Sequence, residues 1–462
     1  MRTLISEPAP LAEDRPSRRI VLATFGSPGD LNPYLAIALE LRRRGHDPVV
    51  ATSACYRPRV EALGVRFHPV RPDQDLDSPD PDFVDRLRKH WRSPASVFQE
   101  MFWPALEESY IDTLAAVEGA DLLVSHSLAF TAPLVAERTG VAWASAVLQP
   151  LGFFSGYDPP VLGATPAPLV ERARRIGPAA TRPAMIAAKA VVRPWNRPWH
   201  RLRARIGLPP TRVDPIFDGQ HSPALVLALF SRVFGERQPD WPTPVVVTGF
   251  PLLDDPAQAL PPAVADFLAD GPPPVVFTLG TTAVRDAGDF YRASAAAAEA
   301  AGLRAVLVGA VDAPLRSARL SAGAMTVAYA PYAALFPRAA ATVHQGGIGT
   351  LAQAMRAGKP MAIMPYGHDQ PDNAARARRL GIARVIPRRA YTVDRVAATL
   401  QWLLSDPLYG ERAAAVGRTL RAEDGAGAAA DAIEALLAAP TSRYARLNAT
   451  AAVPIEPTRR GR

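Results

Sequence analysis

The stretch "VHQGGIGTLAQAMRAGKP", Val343–Pro360, places a histidine and three glycines between an apolar run and a helical pattern. Val343 ends a strand, and the spacing of Ile348, Leu351 and Met355 predicts a helix starting around Gly347. Gly346, Gly347 and Gly349 permit a tight turn and close backbone approach. The first N–H groups of that helix are left pointing outward. Such a helix start binds anions, with a macrodipole contribution of about 0.3–1 kcal/mol, rising to about 2 when partly buried. Thr350 adds a hydroxyl and His344 a ring N–H. The ending Gly-Lys-Ser/Thr of a P-loop is missing, and so is Gly-x-Gly-x-x-Gly. Nineteen residues beyond Thr350, Asp369 and Gln370 follow the next strand. A carboxylate beside a carboxamide accepts from one hydroxyl and donates to another, which suits a sugar attached to the bound phosphate.

Outward from this stretch, short apolar runs alternate with helical patterns, which predicts parallel sheets covered on both faces. "RIVLATF" is a strand and "GSPGD" a turn; "NPYLAIALELRRRGH" is a helix, with Asn32 as N-cap, Pro33 as first residue and Gly45 as stop. A second series of strands starts at "PPVVFTLGTT". The expected fold class is α/β, two facing Rossmann-like doubly wound domains with a cleft between them. Residues 18–250 form the first, acceptor-binding domain and 251–440 the second, donor-binding one, whose last helices return to the first. A Pro-rich acidic linker falls near residues 250–262, and 1–17 and 441–462 read as disordered tails. In such folds ligands sit beyond the carboxyl ends of the strands.

The 462 residues suffice for two cores, and the 48% apolar and 21% charged content is that of a globular protein. One cysteine, Cys55, excludes an internal disulfide and a thiolate zinc site and points to a reducing cytoplasm. No signal peptide or membrane span is legible. The net charge of +8 is concentrated between Glu171 and Asp214, where 11 Lys or Arg meet only those two acids. There "RPWNRPWHRLRARIG" interleaves Trp195 and Trp199 with arginines. This segment reads as a solvated helical excursion, or as a contact for a membrane surface or lipophilic acceptor. No nucleic-acid-binding motif accompanies it.

"FGSPGDLNPYLAIALELRRRGH" together with "APYAALFPRAAATVHQGGIGTLAQAMRAGKPMAIMPYGHDQPDNAARARRLG" resembles the inverting family 1 nucleotide-sugar glycosyltransferases of GT-B fold, in their bacterial antibiotic, sterol and rhamnosyl-type branch. The resemblance runs over residues of about 18 to 440. It implies that His344, Gly346, Gly347, Gly349 and Thr350 hold the donor diphosphate together with Gly280, Thr281 and Thr282. It further implies sugar contacts from Asp369 and Gln370, and a base-binding loop at Ala330, Pro331 and Tyr332. Gln345 stands where many relatives carry His or Cys. Asp30 stands where many carry a catalytic His, as in the antibiotic-type branch. A carboxylate of ordinary pKa about 3.9 is a weak base for an alcohol, but it can take the proton late in the displacement. The plainer role for Asp30 is a helix cap or first-turn charge.

His126, closing "LLVSH", falls near where plant relatives carry an orienting Asp, and is assigned to the acceptor side. Phe102, Trp103 and Phe153, with Phe98 and Phe154, are candidates for an apolar acceptor pocket, with core as the alternative. "DLD" at Asp75–Asp77 is set aside as solvated charge, and no metal or other cofactor is expected. The expected partners are a UDP- or dTDP-hexose, a lipophilic hydroxyl acceptor and a peripheral membrane surface reached through residues 171–214. A nucleotide-sugar epimerase and a non-catalytic nucleotide-sugar-binding helper are the competing readings.

Overall fold

The computed structural model describes residues 16–73, 81–162, 165–254, 258–309 and 323–439. Asp75–Asp77 and the two tails beyond residues 16 and 439 lie outside the described residues. The strands are β1 (Arg19–Ala23), β2 (Asp47–Thr52), β3 (Arg66–Pro69), β4 (Leu122–His126), β5 (Ala142–Val147), β6 (Val226–Ala228) and β7 (Val245–Val247). After the connection come β8 (Val275–Thr278), β9 (Ala305–Val308), β10 (Ala324–Val327), β11 (Ala341–His344), β12 (Met361–Ile363) and β13 (Ala383–Val385).

The first seven form one sheet in the order β3-β2-β1-β4-β5-β6-β7, the last six another in the order β10-β9-β8-β11-β12-β13. Every pairing among the described residues is parallel. Both faces are covered at the centre of each sheet, so inner strands such as β1, β5, β8 and β11 are buried along nearly their whole length rather than alternating. Ile20 and Leu22 of β1 enter one core, while Val21 and Ala23 enter another on the opposite face. In the second sheet Val276 and Val306 face one core, Val275 and Phe277 the other.

Strand order decides where a ligand can sit. In the first sheet the chain runs outward from β1 to β2 and β3, then returns to place β4 on the other side of β1. The loops after β1 and β4 therefore diverge, leaving a crevice at that switch point. The second sheet repeats this at β8 and β11. Register keeps each pair of loops level: Ala23 lies opposite Ser125, and Phe277 opposite Val343.

The final helix, Gly425–Ala438, crosses back to the first unit and packs on the helix Pro28–Arg43. Arg44 Nη1 pairs there with Asp431 (2.6 Å) and Glu434 (3.2 Å), and His46 Nε2 meets Glu434 at 3.1 Å. His46 is thus tied to the crossing helix. Gly425 is required at the crossing, because a Cβ would lie 2.4 Å from the Phe250 carbonyl carbon.

Candidate active site

The two switch points face one another across a cleft of about 2440 Å³. On the first unit, the helix after β1 starts earlier than expected, at Pro28 with Ser27 as its N-cap. Ser27 N–H and Oγ–H both donate to Asp30 Oδ2, at 2.8 and 2.9 Å, while Gly29 N–H donates to Ser27 Oγ at 3.2 Å. This reciprocal cap outweighs the Asn32-Pro33 signal. Pro33 lies inside the helix, where it leaves the Gly29 carbonyl without its i+4 donor. Asn32 Oδ1 instead accepts from Arg59 (2.8 Å). Gly26, at φ +127°, lets the loop close over the carboxylate: a Cβ there would sit 2.4 Å from Asp30 Oδ2. Asp30 is therefore both a helix-capping residue and part of the cleft wall.

His126 ends β4 on the same wall. Its ring meets Tyr34 edge-on, centroids 6.0 Å apart. Burial holds the imidazole below its ordinary pKa, and the nearby Asp30 charge opposes that shift.

On the second unit, β8 ends in a short helix, Gly280–Ala283, beside the Gly347-capped helix Ile348–Ala357. Gly280 has φ +64°, and a Cβ there would fall 2.5 Å from Gln345 Nε2 and 3.5 Å from Thr350 Oγ1. The Gly280 turn, the Gln345 amide and the Thr350 hydroxyl thus converge, and Thr281, Thr282, Gly347 and Gly349 line the cleft with them. His344 and Gly346 do not line it. His344 is fully buried behind the turn, where its Nδ1 accepts from Gly346 N–H (3.1 Å). Burial pushes its pKa down to about 3, so the ring is neutral and its proton resides on Nε2. His344 thus supports the glycine turn from behind, and its Nε2 has no protein partner among the described residues.

Asp369 and Gln370 both reach the cleft. Gln370 Oε1 accepts from Tyr366 N–H (2.8 Å), which turns its NH2 into the donating end. Asp369 Oδ2 accepts from Asn373 Nδ2 (2.7 Å), and the same amide donates to the Gly346 carbonyl (3.0 Å). Asn373 ties the carboxylate to the glycine turn. The signal was its i+4 spacing from Asp369. Burial first, and the Asp30 charge second, raise Asp369 to about pKa 7. The two carboxylates thus sense each other across the cleft. His368, at φ +55° and pushed down to about 4 by burial, lines the cleft with them and feels the charges of His90 and Asp30.

Ala330, Pro331 and Tyr332 line the far end of the cleft, where Tyr332 OH and Thr278 Oγ1 are 2.8 Å apart. Tyr329, overlooked in the sequence, joins them with its ring largely exposed. On the first unit Phe98, Phe102, Phe130, Phe154, Trp195 and Phe217 form an aromatic wall. Trp103 and Phe153 do not belong to it. Trp103 packs behind Phe130 (5.2 Å), and Phe153 is stacked at 4.0 Å on Trp241 in the core. Trp199 is core as well, with Nε1 donating to the Phe130 carbonyl (2.9 Å).

Two long-range ion clusters lock the units together. Asp286 receives Arg88 of the first unit (2.7 Å) and Arg388 of the second (2.6 Å). Arg376 bonds Asp372 (2.7 Å) and pairs with Asp158, while Asp372 Oδ1 accepts from Val161 N–H (3.0 Å). Among the described residues, no three His, Cys, Asp or Glu side chains are grouped to hold a metal ion. Nor is any helix there long and apolar enough to cross a membrane.

Residues 20–138 match the glycosyltransferase family 28 N-terminal domain, and 297–436 the erythromycin biosynthesis protein CIII-like C-terminal domain. The chain is 34% identical over 421 residues to O-mycaminosyltylonolide 6-deoxyallosyltransferase of Streptomyces fradiae, covering 88% of this chain and 94% of that one. With 4'-demethylrebeccamycin synthase of Lentzea aerocolonigenes it shares 28% over 429 residues, 91% and 99% of the two chains. The crystal structure of glycosyltransferase VinC in complex with dTDP has the same fold, with TM-score 0.64 at 19% identity over 93% of this chain and 99% of that one. The chain belongs to the antibiotic-type glycosyltransferases of GT-B fold.

Proposed function

We propose that this glycosyltransferase moves a hexose from a UDP- or dTDP-hexose to a hydroxyl of a lipophilic small molecule, in one inverting displacement that needs no metal ion. The observation that carries this reading is the meeting of Asp30, Asp369 and the capped glycine turn in one cleft whose first-unit side carries six aromatic side chains. The diphosphate lies against the N-terminus of the helix Ile348–Ala357, with Gly280, Thr281, Thr282, Gln345 and Thr350 around it. These donors stabilise the charge that grows on the leaving group, where losing one commonly costs about 10²–10³ in rate. Asp369 and Gln370 orient the hexose, and Tyr332 lies with Ala330 and Pro331 at the base.

The acceptor hydroxyl enters from the aromatic wall. Its oxygen attacks the anomeric carbon opposite the diphosphate, the carbon–phosphate-oxygen bond breaks with its electrons on the diphosphate, and the proton passes to Asp30. A dTDP donor is supported by the ligand of the VinC crystal and a lipophilic acceptor by the antibiotic-type relatives. Incubation of dTDP- and UDP-hexoses with O-mycaminosyltylonolide and other lipophilic alcohols, with EDTA present, tests the reading. Transfer to at least one acceptor is expected, and binding without turnover of any donor would favour the helper reading.

A further inference from the structure

The helix Pro178–Val192 is apolar nearly all round, yet only half of it is covered. Thr181, Met185, Ala188 and Val192, spaced as one helical face, point inward, and Met185, Ala188 and Val192 line the cleft. The opposite face, Ala179, Arg182, Pro183, Ile186, Ala187 and Ala190, is exposed and carries one charge in six residues. A helix apolar on every side is ordinarily buried on every side. The preceding helix, Ala167–Ile176, adds exposed Leu169 and Ile176. Of the ten exposed large apolar side chains among the described residues, four lie on these two helices, Leu169, Ile176, Ile186 and Val191, and a fifth, Leu162, precedes them in the chain.

We propose that this two-helix excursion docks on an anionic membrane surface and admits the lipophilic acceptor from it to the cleft. The second half rests on the transfer reading above; the docking does not. Arg172, Arg175, Arg182 and Arg193 are exposed around the apolar side chains. The acids nearby are engaged: Glu171 with Arg174 (2.6 Å), Asp218 with Lys189 (2.8 Å) and Asp214 with the Ile216 N–H (2.9 Å). Isolated aliphatic side chains set among arginines suit insertion between anionic headgroups. A second copy of the chain would bring the same arginines face to face. The helix is the partition itself, with cleft on one side and outer surface on the other. A hydrophobic alcohol dissolved in a bilayer would meet Leu162 and Trp195 at the cleft edge without crossing bulk water.

Sedimentation of the full chain with vesicles tests the docking directly. One set is phosphatidylcholine alone, the other equimolar phosphatidylcholine and phosphatidylglycerol, and no sugar donor or acceptor is present. The chain is expected to sediment with the anionic vesicles, to leave them as salt is raised, and to ignore the neutral ones. The exposed double substitution Ile186→Glu with Val191→Glu should weaken binding on the order of 10-fold or more, with melting temperature unchanged. Absence from anionic vesicles overturns the docking, as does binding that the double variant leaves intact. Self-association that only the double variant abolishes, without vesicle binding, would make the occupant a second copy and overturn it as well. Transfer to soluble acceptors is measured separately, so its failure would not be mistaken for failure of docking.

Discussion

Gly29 and Gly349 touch across the cleft: a Cβ built on Gly349 would lie 3.5 Å from Gly29 Cα. One belongs to the first turn of the helix after β1, the other to the first turn of the helix after β11. Two helix N-termini meet where neither carries a side chain, which brings the Asp30 and Asp369 walls together. Alanine at Gly349 makes an ordinary contact and should leave kcat within a few-fold of wild type. Gly349→Leu has no such space and should wedge the units apart. Since a misplacement of about 1 Å can cost about 10²-fold, its kcat should fall by that order while the fold persists. Steady-state kinetics with a small-angle scattering radius checks both variants.

Asp369 is a cost to the fold that grows with pH. Its folded pKa, about 7, lies above the ordinary carboxylate value of about 3.9. The folded state therefore holds a proton that the unfolded chain has released, and stability is lost as pH rises from about 4 to about 7. Asp369→Asn keeps an oxygen for Asn373 and removes the titration. Its melting temperature should exceed that of wild type at about pH 8 and match it at about pH 4, while donor KM rises through loss of the carboxylate. Thermal melts across pH check the first half, and kinetics the second.

The Arg376 cluster gives a third expectation. Arg376 and Asp372 are 2% and 0% exposed, and Asp158 is 13% exposed. Arg376→Met would strand Asp372 without its cation, and breaking a buried pair from one side costs about 3–5 kcal/mol. Asp158 retains Arg379 at 3.3 Å, which tempers the loss. Urea unfolding should show the midpoint moving down accordingly, with Asp372→Asn milder than Arg376→Met.

Parallel strands were legible because both their faces are buried, so runs such as "RIVLATF" and "PPVVFT" are continuously apolar. The glycine turn and the Asp369-Gln370 pair were legible because their chemistry is local. What failed was long-range or ambiguous in kind. Asp286 and Arg88 are 198 residues apart, and nothing in either neighbourhood announces the other. Phe102 and Phe153 read alike as aromatic residues, but one lines the cleft and the other is stacked on Trp241. Trp199 and Trp195 divide in the same way, core against cleft. The start of the helix after β1 was misplaced because Asn32-Pro33 is a strong local signal, outdone by the Ser27–Asp30 cap.

In the proposed transfer Asp30 takes the acceptor proton and no metal ion takes part. Initial-rate transfer from a dTDP- or UDP-hexose to a lipophilic alcohol in EDTA, comparing wild type with Asp30→Asn alongside dTDP binding by calorimetry, tests both roles at once. Asparagine can still accept from Ser27, so the helix cap is kept. Wild type should transfer in EDTA with an inverted anomeric product, and Asp30→Asn should show a fall in kcat of about 10²–10⁴-fold with unchanged dTDP affinity. Transfer by Asp30→Asn at the wild-type rate would remove Asp30 as the base, and wild-type transfer abolished by EDTA and restored by magnesium would make the reaction metal-dependent.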